Sequence, residues 1–168
     1  MNMQNIHRSL TIILLMLIFL PLQAKESVFD QQPAYSKGYD PTRNAFDDGR
    51  AALKLAKETN RRVLIEVGGD WCMFCHILDR FIKSNPVIEK ALYETFVVLK
   101  VNYSEDNKNV EFLSNFGRIP GYPHLFITEN TGKVIYSNDI RDMTVKGKLS
   151  KTRMFEFIQR WKIQNSKL

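Results

Sequence analysis

The chain has 168 residues, enough for one domain with short additions. Its apolar content of 44%, with 11% aromatic, supplies a packed core and excludes a disordered chain. The net charge of +6 is spread along the chain without blocks of one sign, which argues against a nucleic-acid surface and leaves at most a weak preference for acidic partners.

Met1 to Ala24 reads as an export signal. His7 and Arg8 form a short basic region, Thr11 to Leu20 is an unbroken apolar run, and Ala24 suits a signal-peptidase site. The run is short for a membrane span of ~20 residues, so a cleaved signal and no stable membrane insertion afterwards is the expectation; an uncleaved anchor is the alternative. The final Ser166-Lys167-Leu168 spells a peroxisomal address, but a tripeptide arises by chance far more easily than a signal segment, and the two addresses are incompatible. The expected location is therefore exported, and periplasmic in a double-membraned bacterium.

Residues 25–43 carry Pro33, Gly38 and Pro41 without a period and read as an extended lead, with Tyr35 and Tyr39 expected to pack on the domain and contact with a partner as the alternative. The domain itself is expected over 44–168. Asn44 caps a helix reaching Thr59, with Phe46, Gly49, Leu53 and Ala56 on one face. Arg62 to Val67 is a strand, apolar on both faces apart from Glu66. After Gly68-Gly69 a helix runs from Cys72 to about Lys83, and Asn85-Pro86 starts another that ends near Tyr93. Phe96 to Asn102 is a second apolar strand. Glu105 to Phe116 reads as a helix stopped by Gly117, with Val110, Leu113 and Phe116 inward. Strands at His124–Thr128 and Lys133–Ser137 flank an Asn-Thr-Gly turn. Asn138 to Ser150 is polar and reads as a loop, and Lys151 to Gln164 closes the chain as an amphipathic helix with Met154, Ile158 and Trp161 on one stripe. This order predicts an α/β fold, a central mixed sheet with helices on both faces.

The only two cysteines, Cys72 and Cys75, stand where a strand hands over to a helix. That is the layout of a dithiol redox site. The thiolate is the reactive species, and the free N–H groups and partial positive charge of a helix N-terminus stabilise it. The i, i+3 spacing brings the second sulfur to the same side of the first turn. Cys72 is the expected nucleophile and Cys75, further into the helix, the resolving thiol. Three other readings stay open. A purely stabilising disulfide would close too short a loop to constrain the unfolded chain much. Zinc would need Cys72, Cys75, His76 and His124 together, and copper(I) would accept the two thiolates with Met73 nearby. A binding module would hold clients on an apolar rim without redox turnover. Trp71 is expected beside Cys72 as a partly exposed lid, and Phe74 and Tyr122 as an apolar rim for an unfolded protein substrate. Protonated His76 would lower the Cys72 pKa, unless it simply faces water.

From about Asn44 to Trp161 the chain resembles the thioredoxin superfamily. Within it, the chain is similar to small exported thioredoxin-like proteins and to the C-terminal domain of the periplasmic thiol:disulfide interchange transporter. Gly69-Asp70-Trp71-Cys72-Met73-Phe74-Cys75 matches the active-site motif, Lys100-Val101-Asn102 a strand end, and Ile119-Pro120-Gly121-Tyr122-Pro123 a loop of that family. The resemblance implies a thioredoxin-like fold and thiol–disulfide exchange without a dissociable cofactor. It implies that Glu66 is a buried acid exchanging a proton with Cys75, that Lys100 is its partner, and that Pro123 is cis and lies against the dithiol. The implied partners are proteins with disulfides or dithiols and, for a reductant outside the cytoplasm, a membrane thiol electron donor. The Met73-Phe74 pair departs from the Gly-Pro of reducing thioredoxins and from the His-containing pairs of strong oxidants, so the direction rests on a preference for reduction.

Overall fold

The computed structural model describes residues 28–163. The expected signal at 1–24 and the terminal tripeptide lie outside the described residues. The elements run α1 (Ala34–Lys37), α2 (Ala45–Thr59), β1 (Arg62–Gly68), α3 (Met73–Lys83), α4 (Pro86–Thr95), β2 (Phe96–Asn102), α5 (Val110–Leu113), β3 (His124–Thr128) and β4 (Val134–Asp139). A 3₁₀ turn (Ile140–Met143), the two-residue strands β5 (Thr144–Val145) and β6 (Lys148–Leu149), and α6 (Lys151–Trp161) follow among the described residues.

The main sheet has the order β2-β1-β3-β4. β1 runs parallel to β2 through the α3–α4 crossover and antiparallel to β3, and β3 pairs antiparallel with β4. β1 and β2 are buried on both faces, as strands between two helical layers must be. Side chains alternate between the faces. Leu64, Val98, Leu125 and Ile127 face α3, α4 and α6, meeting Leu78, Ile82, Leu92, Met154, Phe157 and Ile158. Val63, Ile65, Val67, Leu99 and Phe126 face the other way, onto α1, α2 and α5. Glu66 shares the parity of Leu64, and the register sets it opposite Lys100. Both therefore enter the α3 side of the core.

α2 begins as expected: the Asn44 side chain accepts the N–H groups of Phe46 and Asp47, and Asn60 closes the helix in the left-handed region. Its inward stripe is Ala45, Asp48, Gly49, Ala52 and Ala56, with Phe46 exposed, because small residues let the helix approach the sheet closely.

Three segments differ from the sequence expectation. Only Val110–Leu113 is helical in the stretch 105–116, and Val110 points outward while Phe112 and Leu113 are buried. Asparagine side chains hold the preceding residues instead. Asn102 donates to Asn107 O at 2.7 Å, Asn109 donates to Asn102 O at 2.8 Å, and Asn109 is itself left-handed. Such side-chain bonds compete with helix hydrogen bonds. The stretch 138–150 is structured: β4 continues to Asp139, buried Met143 anchors the 3₁₀ turn, and Lys146-Gly147 turns the β5–β6 hairpin with φ of 49° and 74°. The lead is not simply extended. α1 carries buried Tyr35 and Ser36, and the Ser36 hydroxyl donates to Val98 O at 2.5 Å, covering an edge strand of the sheet.

Candidate active site

The local sequence after β1 produces an abrupt corner. The Cβ that Gly68 lacks would fall 2.5 Å from Cys75 Sγ and 2.9 Å from Tyr39 Oη. One at Gly69 would fall 2.5 Å from Trp71 Nε1. Neither glycine can carry a side chain without moving the site. Cys72 N–H then donates to Gly69 O at 2.9 Å, and Cys72 becomes the N-cap of α3.

Cys72 and Cys75 are joined as a disulfide, with their Cα atoms 5.3 Å apart. Cys75 N–H donates to Cys72 Sγ at 3.2 Å, so a thiolate at Cys72 would find a hydrogen-bond donor already aimed at it. Both cysteines are buried, Cys72 3% exposed and Cys75 not at all, so Cys72 is the outer of the two.

The outer side is aromatic. Trp71 is 57% exposed, and its indole N–H donates to Tyr103 O at 2.7 Å. Its ring meets Tyr122 edge-on at 5.2 Å, and Tyr122 stacks on Tyr103 at the same distance. Tyr122 packs against the cluster of Tyr39, Cys72 and Cys75, and its peptide bond to Pro123 is cis. Met73 and Phe74 are exposed on the first turn of α3. A groove beside this rim is lined by Phe74, Ile77, Tyr122 and Pro123 and by residues of the 139–149 segment.

The inner side is a buried polar cluster. Tyr39 Oη donates to Glu66 Oε1 at 2.5 Å. Lys100 Nζ lies 3.8 Å from Glu66 Oε2 but donates to Asp79 Oδ1 at 2.5 Å. Lys100 is thus shared, with Asp79 its closer partner. Burial pushes the Glu66 carboxyl above the usual range; the Lys100 charge opposes this, Asp79 adds to it, and the hydrogen bond from Tyr39 opposes it. Burial works against the Lys100 ammonium, yet Glu66 and Asp79 outweigh it and the pKa rises. Burial, then the charge and hydrogen bond of Glu66, hold the Tyr39 phenol well above its ordinary value. Tyr122 is pushed up to about 12 by burial. The cluster therefore favours a charged lysine and a Glu66 that takes up a proton readily.

All the sequence-derived site residues meet here: Cys72, Cys75, Glu66, Lys100, Trp71, Phe74, Tyr122 and Pro123. The two histidines do not join them as ligands. His76 Nε2 is 2.7 Å from Asp70 O. His124 lies on the Phe126 face of the sheet, away from Glu66, with Nε2 2.9 Å from Ser137 Oγ. Among the described residues no group of three or more His, Cys, Asp or Glu side chains is placed to hold a metal. Sequence reasoning missed Tyr39, Asp79 and Tyr103. Asp79 had a signal, since it follows Cys75 by one helical turn on the same face. Tyr39 and Tyr103 lie in irregular backbone with no period to mark them.

A protein-family model described as thioredoxin-like matches residues 44–129. The thiol:disulfide interchange protein DsbD of Photorhabdus laumondii subsp. laumondii is 23% identical over 105 residues, 62% of this chain and 17% of that protein. The chain spans less than a fifth of the length of the curated relatives it matches. The disulphide isomerase of Xylella fastidiosa Temecula1 superposes with a TM-score of 0.62 at 24% identity, covering 73% of this chain and 94% of that one. The oxidised DsbD C-terminal domain of Neisseria meningitidis does so with a TM-score of 0.54 at 15% identity, covering 71% and 97%. At such identities these two structures bear on the fold.

Proposed function

The chain belongs to the thioredoxin-like family, and from that premise we propose that it is an exported thiol–disulfide oxidoreductase that reduces protein disulfides. The single observation that carries the reading is the Cys72–Cys75 pair at the start of α3, with buried Glu66 behind it and an aromatic rim in front.

In the proposed cycle the Cys72 thiolate attacks one sulfur of a substrate disulfide. The substrate S–S bond breaks, the first substrate sulfur leaves as a thiolate, and a mixed disulfide forms. Cys75 loses its proton and attacks Cys72 Sγ. The mixed disulfide breaks, the second substrate thiolate leaves, and the Cys72–Cys75 disulfide forms. The substrate gains two electrons and the protein loses two. A membrane thiol donor then returns the pair to the dithiol.

The proposal includes residues 1–24 as the export signal, 25–43 as a lead and 44–168 as the thioredoxin-like domain. No helix among the described residues is long and apolar enough to cross a membrane. The test is the reduction potential of the mature protein in glutathione or dithiothreitol buffers. A value toward the thioredoxin end, about −270 mV, is expected; one near about −120 mV overturns the direction, and a pair that never cycles overturns exchange itself.

A further inference from the structure

Tyr39 precedes the matched span of 44–129, yet it touches both parts of the inner site. It is 4% exposed and packs with Cys72, Cys75 and Tyr122. Its hydroxyl donates to Glu66 Oε1, and on the other side it faces Cys75 Sγ across the bare backbone of Gly68. Both atoms lie within 2.9 Å of the one point where a Gly68 Cβ would stand. A phenol has one proton to give and lone pairs to receive another. Tyr39 is therefore built to pass a proton without keeping it.

We propose that Tyr39 relays the proton of Cys75 to Glu66 during thiol–disulfide exchange. This rests on the exchange reading above. As Cys75 attacks the mixed disulfide, its thiol proton moves to Tyr39 Oη while the phenolic proton moves to Glu66 Oε1. The phenol ends unchanged and Glu66 ends neutral. Cys75 Sγ bonds to Cys72 Sγ, and the substrate sulfur leaves with the electron pair. Opening the disulfide runs the same transfer backwards. The relay needs a phenol that stays protonated, and burial beside Glu66 supplies that. It also needs a Glu66 whose charge can change inside the core. The groups that face Glu66 are Tyr39 from the lead, Lys100 from β2, Asp79 from α3 and Tyr93 from α4, with Asp70 of the β1–α3 turn acting on Tyr39 and Lys100. Lys100, held by Asp79, stands near enough to compensate the carboxylate before the proton arrives.

The experiment is stopped-flow mixing of the reduced mature protein with a disulfide-linked model peptide, following mixed-disulfide formation and then its resolution by Cys75 across pH 5–9. Tyr39→Phe keeps the ring and removes the hydroxyl. The first step is expected to stay within about twofold, and the second to slow by about tenfold or more with an altered pH profile. Glu66→Gln is expected to slow the same step, and the double variant to be no slower than the slower single one, since one path has been cut twice. Resolution by Tyr39→Phe at the wild-type rate with the wild-type pH profile overturns the relay, and so does simple additivity with Glu66→Gln. If Tyr39→Phe does not fold, fluorotyrosine at position 39 keeps the shape and lowers the phenol pKa. An unchanged resolution rate then overturns the relay, and an altered rate supports it. A wild-type protein that forms no mixed disulfide overturns the exchange reading and the relay together, whereas the failures above leave exchange standing.

Discussion

Cys72 and Cys75 are joined to each other yet belong to two different environments. Around Cys72 the neighbours are apolar and open: Trp71, Met73 and Phe74 are among the exposed large apolar side chains of the described residues, and Tyr122 closes the rim. Around Cys75 the neighbours are polar and buried: Tyr39 and Glu66, with buried Lys100 and part-exposed Asp79 behind them. The helix makes this division. Its first turn sets one sulfur at the cap, facing the rim, and the other inward over β1. One side suits contact with a protein chain, the other suits proton movement, and each can be disturbed separately.

The largest effect belongs to the division of labour itself. Cys75→Ser leaves the outer sulfur and its rim intact and removes only the inner one. Turnover should be abolished while a substrate remains attached to Cys72, seen as a mixed disulfide on non-reducing gels that dithiothreitol releases. A variant that turns over normally would show that the inner sulfur is not the resolving group.

Gly68→Ala forces the inner side apart. Its Cβ would meet Cys75 Sγ and Tyr39 Oη at distances no real Cβ adopts, and neither the sulfur nor the packed phenol can retreat freely. A destabilisation of about 1–3 kcal/mol is expected, read from urea unfolding, together with slower resolution of the mixed disulfide. Unchanged stability would show that the corner is looser than its geometry implies.

Glu66→Gln acts on the same side with the opposite sign for stability. Burial raises the folded-state pKa of Glu66 above its unfolded value. Its favourable contribution is complete below the unfolded pKa and is lost as pH rises through the folded one. Glutamine removes that loss, while Lys100 keeps Asp79 as its closer partner. The variant should be more stable than wild type at pH 8 and show a smaller gain at pH 4, read from urea unfolding at the two pH values. A gain that does not change with pH would mean that Glu66 carries the same charge in both states.

Much of this arrangement was legible in the sequence because it rests on regular elements. A strand apolar except for Glu66 and a C-x-x-C at a strand–helix junction locate two of the inner groups by period and order, and the family resemblance adds Lys100, near the end of a second strand, as the partner of Glu66. The structure adds the register that sets Glu66 opposite Lys100. Tyr39 was not legible as a site residue. It sits between Gly38 and Pro41 in a segment without periodicity, and only the fold brings it back across β1. The stretch 105–116 misled for the converse reason. Its apolar residues mimic a helical period, but Asn102, Asn107 and Asn109 spend their amides on one another and on nearby backbone. The 139–149 segment was read as a loop because two-residue strands are too short to show alternation, although they form one wall of the groove beside Phe74.

The smallest effect is expected on the outer side, where it separates recognition from chemistry. Phe74 is 57% exposed and lies one turn ahead of half-buried Ile77, on the wall of the groove. Truncating it removes little from the core, so stability should hold within about 0.5 kcal/mol. What it removes is apolar area that a protein substrate would cover. At about 25 cal/mol per Å² that is worth on the order of 1 kcal/mol, or about a fivefold rise in KM for a protein disulfide with kcat nearly unchanged. A small disulfide such as oxidised glutathione reaches Cys72 without the groove, so its reduction should be unaffected by Phe74→Ala. If both substrates slow equally, the rim acts on the sulfur rather than on the substrate, and the separation between an outer contact side and an inner proton side fails at its outer edge.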